Sequence, residues 1–259
     1  MATRHAEACA TVKLQGIFVP IAIPFDHTGE IYQVKVRHNI EKWNRTGLAG
    51  YVVSGAESIY LDAEEKVRMW EWVAEYSAPE KILIAATGMP GVRETVRLTN
   101  QAETLGYKAA LVRGPAAAAD VYFRAVADQA KIPVMVDGEM PQGLSHPNIL
   151  AADLGRSAAT LAQDLAGGAT GAVVDFANAA PYAAISIWEA HRTRETEAAL
   201  DWQQRISPAV DLIAKFGVAA LKCAMDLNGY YGGPPRLPLT VLTPDRRQAV
   251  EQAFDGIKG

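Results

Sequence analysis

The chain has 259 residues, 49% of them hydrophobic, with 25 basic and 29 acidic side chains giving a formal net charge of −4. That length and apolar content suit two ordinary domains or one α/β barrel with additions. The slight acidity, without any run of Lys or Arg, excludes the electrostatic footprint of a nucleic-acid or anionic-membrane binder. No stretch approaches the roughly 18 uninterrupted apolar residues of a membrane span. The start MATRHAEACATVK lacks the apolar core of a secretory signal, so a cytoplasmic location is expected. Cys9 and Cys223 are too few and too far apart to argue for a disulfide framework or a thiolate metal site.

From Gly16 onward, strand-like and helix-like segments alternate in the rhythm of a parallel sheet covered by helices. GIFVPIAIPF reads as the first strand and Glu30 to Thr46 as the helix after it, stopped by Gly47. The stretch Gly50 to Lys66, GYVVSGAESIYLDAEEK, then reads as strand, small-residue loop and helix, with Asp62 and Glu65 spaced as a capping box. A small ligand is expected near that loop. Lys81 to Gly88, Ala109 to Pro115 and Pro133 to Gly138 supply three more strands. Helices over Val92 to Leu105 and Asp120 to Ala130 separate them, which is the pattern of a TIM-type (β/α) barrel.

After the fifth strand the rhythm fails. About thirty residues precede the next convincing strand, Gly171 to Asn178, too few for the remaining units of a full barrel. A short strand at Ile149 to Asp153 and a helix at Ser157 to Ala166 fit the space, so the expected barrel, 14–180, is shortened or distorted there. Beyond Pro181 the pattern is helical, a C-terminal extension over 181–259 interrupted by the turn-rich GYYGGPPRLP.

Three pieces carry a family resemblance. VPIAIPFDHTGEI, the Ser54-Gly55-Ala56-Glu57 turn followed by Leu61 and Glu64-Glu65, and VAALKCAMDLNGYYGGPPRLPLTVLTP resemble the dihydrodipicolinate synthase and N-acetylneuraminate lyase family. The resemblance implies an aldolase or lyase that handles a small oxo acid such as pyruvate through an imine, with no cofactor, in a homo-oligomer. Three departures from the family's pattern lead to the expectation that its imine route is lost in this chain. The family's nucleophile is a lysine on the sixth strand, and no lysine lies between Gly138 and Asp175. Where the family closes its fifth strand with a tyrosine this chain has Asp137, and where a second tyrosine is usual it reads GPAAAAD.

If the strand ends gather at one mouth, Phe25, Ser54, Glu57, Thr87, Arg113, Asp137, Glu139 and Asp175 are placed around it. Arg113 has the two-pronged geometry to clamp a substrate carboxylate, or it pairs with Asp137 or Glu57. Asp137 and Glu57 are candidate acid–base groups, though a carboxylate at Glu57 also suits a loop-fixing role. Ser54 and the Gly55 amide can hold a carboxylate, as the family's threonine pair does, and Asp175 joins the substrate-binding set. Asp137, Glu139 and Asp175 could instead hold a divalent cation, giving a metal-assisted lyase, although no tight ligand spacing is visible. A non-catalytic carboxylate binder or assembly partner is the other alternative.

Overall fold

The computed structural model describes residues 12–53 and 57–257. Seven parallel strands curl into a barrel-like sheet: β1 (Gly16–Pro20), β2 (Gly50–Val53), β3 (Ile82–Ala86), β4 (Ala109–Val112), β5 (Val134–Val136), β6 (Leu154–Gly155) and β7 (Gly171–Val173). Their spatial order is β5-β4-β3-β2-β1-β7-β6. Helices Gln33–Asn44, Ala63–Tyr76, Val92–Thr104 and Ala119–Gln129 follow the first four strands, as the sequence pattern predicts to within a turn.

Side chains alternate between two cores with the period of two that a strand imposes. Phe18, Val52, Ile84, Ala109 and Met135 point inward and fill the barrel. Their neighbours Val19, Tyr51, Val53, Ala85, Ala110 and Val134 face the helices, where Trp43 and Trp70 are fully buried. Gly50 is required at its position: a Cβ there would lie 1.9 Å from the Ile82 carbonyl oxygen, closer than any side chain can approach. The first strand is shorter than its apolar run because Pro20 and Pro24 have no N–H to continue a ladder.

The shortened region is built economically. One extended run crosses from β5 to β7 and does the work of the strands that the spacing cannot accommodate. At its start Leu150 N–H donates to Val134 O over 2.9 Å, and Val134 N–H donates to Asn148 O over 2.8 Å. At its end Leu154 and Gly155 pair with Gly171 and Ala172. The predicted strand at Ile149 to Asp153 is therefore displaced: regular pairing begins only at Leu154, because the run leaves β5 before it reaches β7. Leu150, Ala152 and Leu154 still point into the barrel and pack on its inner core. The following helix covers only Leu161–Ala166.

The C-terminal extension consists of helices Pro181–Arg192, Thr196–Phe216, Val218–Leu227 and Pro244–Ala253. Their apolar faces join the same core as the outer faces of the strands. Asn178 fastens the junction. Its side-chain amide donates to Pro20 O and Asp175 O, and its carbonyl accepts from Ala22 N–H, tying the end of β7 to the end of β1. No helix among the described residues is long and apolar enough to cross a membrane.

Candidate active site

The C-terminal ends of the strands open into a cavity of about 1230 Å³. Its floor is apolar, formed by Val52, Leu111, Met135, Leu154 and Val173 from five strands. Its rim is charged: Lys66, Arg113, Asp137, Arg156, Asp175 and Asp211 line it. Asp211 comes from the long helix Thr196–Phe216, so the C-terminal extension forms part of the wall. An apolar floor with a few convergent polar groups at this face of a barrel is the usual form of a small-molecule site.

Two arginines meet on one carboxylate at this rim. Arg113 donates from Nε and lies with Nη2 2.9 Å from Asp137 Oδ2, while Arg156 Nη1 lies 3.5 Å from Oδ1. Arg156 Nη2 also donates to Val136 O over 2.8 Å, satisfying the last carbonyl of β5 where no neighbouring strand exists. Both guanidinium groups remain more than half exposed. The cluster carries two positive charges and one negative, and leaves donors free toward the cavity.

Asp175 follows β7 and accepts a hydrogen bond from Phe176 N–H. It faces the cavity, so its oxygens are accessible while the protein packed around it pushes its carboxyl above the usual carboxylate range. Lys66 stands one turn into the helix Ala63–Tyr76, where Asp62 and Glu65 form the capping box expected from their spacing. Its ammonium approaches Met89 Sδ at 3.7 Å, and burial lowers its pKa from the ordinary lysine value.

Glu57 occupies a different environment. It does not line the cavity; it is 1% exposed, with Oε2 3.2 Å from Lys222 Nζ. Lys222 donates instead to Ile23 O and Pro234 O, and neither Glu57 oxygen has a hydrogen-bond partner among the described residues. Burial raises the Glu57 carboxyl and lowers the Lys222 ammonium, and their mutual attraction only partly offsets that penalty. Beside them Arg236 makes a two-pronged bond to Glu65 at 2.6 and 2.8 Å and also donates to Gly29 O and Tyr60 O. Phe25 meets both cations, its ring centroid 5.0 Å from Lys222 Nζ and 4.5 Å from the Arg236 guanidinium. This placement favours the loop-fixing role for Glu57.

Of the residues placed at the mouth from sequence, the fold brings together Arg113, Asp137 and Asp175. Phe25 and Glu57 belong to the buried cluster, and Thr87 is buried against Thr99 with their hydroxyls 2.7 Å apart. Glu139 lines a separate recess beyond β5 because the chain turns at Gly138. Ser54 and Gly55 lie outside the described residues. Among the described residues no three His, Cys, Asp or Glu side chains converge as a metal site needs, and Asp137 is already engaged by two arginines. Sequence reasoning missed Lys66, Arg156 and Asp211. Arg156 was findable as the first cation after the shortened strand, whereas Asp211 carries no local signal.

The sequence model of the Dihydrodipicolinate synthetase family matches residues 13–140. Over 92% of this chain and 93% of its own length, the protein of Emericella nidulans named "Probable 4-hydroxy-2-oxoglutarate aldolase, mitochondrial" is 27% identical. A 4-hydroxy-tetrahydrodipicolinate synthase from Exiguobacterium sp. is 25% identical over 88% of this chain and 92% of its own. The crystal structure of a dihydrodipicolinate synthase from Bacillus anthracis superposes with a TM-score of 0.86 at 21% identity, covering 96% of this chain and 100% of that one. The match over residues 13–140 and these relatives support membership of the dihydrodipicolinate synthetase family, and the superposition shows the same barrel fold.

Proposed function

We propose that this aldolase- and lyase-family protein binds a small 2-oxo acid, pyruvate or a close relative, at the barrel mouth. The observation that carries the reading is the convergence of Arg113 and Arg156 on the Asp137 carboxylate at the rim of an apolar-floored cavity. A site that already holds one carboxylate between two guanidinium groups has the donor geometry to hold another. The name of one relative, a probable 4-hydroxy-2-oxoglutarate aldolase, supports an oxo-acid ligand.

Arg113 and Arg156 orient the substrate carboxylate, and the apolar floor takes the rest of a short carbon chain. Asp175, whose carboxyl the surrounding protein pushes above the usual carboxylate range, can give or take a proton beside the reacting carbons. The crossing run between β5 and β7 carries no lysine, so the family's own nucleophile has no counterpart on that strand. Calorimetric titration with pyruvate tests the reading. Binding to the native protein, and loss of it in an Arg113→Ala/Arg156→Ala double variant, is expected. Unchanged binding in that variant would remove the arginine pair from the site.

A further inference from the structure

We infer that the mouth has a second pole: Asp175 after β7 and Asp211 on the helix Thr196–Phe216 take the ammonium of a ligand whose carboxylate is held by the arginine pair. The ligand class is an ω-amino acid, with its two charges at opposite ends of a short apolar chain. The inference rests on the reading above only for the carboxylate end, and it adds a positive group that pyruvate lacks.

Charge is divided across the cavity. Arg113 follows β4, and Arg156 is drawn toward β5 by Asp137 and the Val136 carbonyl. Lys66 turns its ammonium to Met89, which follows β3. The cations therefore gather over β3, β4 and β5. In the spatial order β5-β4-β3-β2-β1-β7-β6, the strands β3, β2 and β1 separate β4 from β7, so Asp175 stands across the mouth from Arg113. Asp211 reaches the side of β6 and β7 from outside the sheet. Gln203, on the same helix, accepts from Ala162 N–H and donates to Ala158 O, which fixes the helix over the segment after β6. About two turns further on, Val210, Asp211 and Ala214 line the cavity together, one face of the helix turned toward it.

Among the described residues neither acid has a cation partner. Asp137 is engaged by two guanidinium groups, whereas Asp175 accepts only from backbone N–H and the Asp211 carboxylate has neither ion pair nor hydrogen bond there. Burial pushes the Asp175 carboxyl up, opposed by backbone hydrogen bonds alone, so a ligand ammonium supplies the positive partner that the fold leaves out. Between the poles, the floor of Val52, Leu111, Met135, Leu154 and Val173 gives a methylene chain an apolar track. A dicarboxylate satisfies the arginine end but brings a like charge to the other, so the two poles select against it.

Calorimetric titration of the native protein with γ-aminobutyrate, δ-aminovalerate and ε-aminocaproate tests the inference, each beside the fatty acid and the dicarboxylate of the same length, with pyruvate as a separate arm. At least one amino acid is expected to bind about tenfold tighter than both of its counterparts, the ratio that one charge-assisted bond supplies. That preference should vanish in Asp175→Asn/Asp211→Asn and persist in Asp211→Glu, and the binding itself should be lost in Arg113→Ala/Arg156→Ala. Equal affinities within every length, a preference that survives in the double Asn variant, or binding that survives loss of the arginine pair overturns the inference. Pyruvate binding without any preference for an amino acid overturns the second pole and leaves the oxo-acid site standing. The preference without pyruvate binding upholds the second pole and overturns the oxo-acid reading, and the absence of both overturns both. The native ligand series decides the matter even if a variant fails to fold.

Discussion

Two clusters of cations and carboxylates lie within one barrel, and they differ in what surrounds them. In the buried cluster, Lys222 and Arg236 meet Glu57 and Glu65 around Phe25, and their remaining donors go to backbone carbonyls of Ile23, Pro234, Gly29 and Tyr60. At the mouth, Arg113, Asp137 and Arg156 are open to a cavity and keep donors free. Both clusters pair cations with carboxylates. Burial with backbone partners makes the first a clasp between the loop after β2 and the C-terminal tail, while exposure over an apolar floor is what makes the second the binding surface we propose.

Substitution should separate the clusters by energy as well as by function. Lys222→Met is expected to destabilise the fold by about 3–5 kcal/mol in chemical unfolding, because it strands a buried carboxylate. The double variant Lys222→Met/Glu57→Leu is expected to recover most of that loss, since neither partner then remains unpaired. If the double variant is no better than the single, the pair does not act as a unit. Arg236→Ala comes next, at about 1.5–3 kcal/mol for two charge-assisted bonds to Glu65, measurable in the same assay.

Acid should divide the two carboxylates within the clasp. Arg236, chiefly through its hydrogen bonds, holds the Glu65 carboxyl below its ordinary value of 4.5. Its contribution is therefore present above that value and is lost as pH falls through it toward the lower folded value. Glu57 is raised, so the folded state takes up its proton more readily than the unfolded chain and acidification there costs no stability. Denaturation midpoints between pH 6 and pH 3, on the order of the carboxylate range, should fall less steeply in Glu65→Gln than in the native protein. An unchanged slope would separate Glu65 from the acid response. The smallest stability effect belongs to the mouth: Arg113→Ala should stay within about 0.5 kcal/mol of native, because its side chain is 71% exposed.

Much of this architecture was legible in the chain. The strand and helix rhythm to Gly138, the capping box at Asp62 and Glu65 and the helical extension all follow from local periodicity and caps, which sequence displays directly. The shortage of residues after β5 announced a distorted closure, but its solution depends on long-range pairing: one run touching β5 at Ile149 and β7 at Leu154. The site divided in the same way. Arg113, Asp137 and Asp175 follow strand ends, so the strand pattern alone places them at the cavity mouth. Glu57 and Phe25 were misplaced at the mouth because Lys222 and Arg236, which draw them away, come from residues more than 160 positions later. Lys66 and Asp211 project from helices, whose facing is set by tertiary packing.

Thermal unfolding with and without pyruvate puts the division itself to the test. In Arg113→Ala/Arg156→Ala the midpoint should stay near native while the rise on adding pyruvate disappears. In Lys222→Met the midpoint should fall while that rise persists. The reverse pattern, a pyruvate response that survives loss of the arginine pair and vanishes with Lys222, would contradict the account.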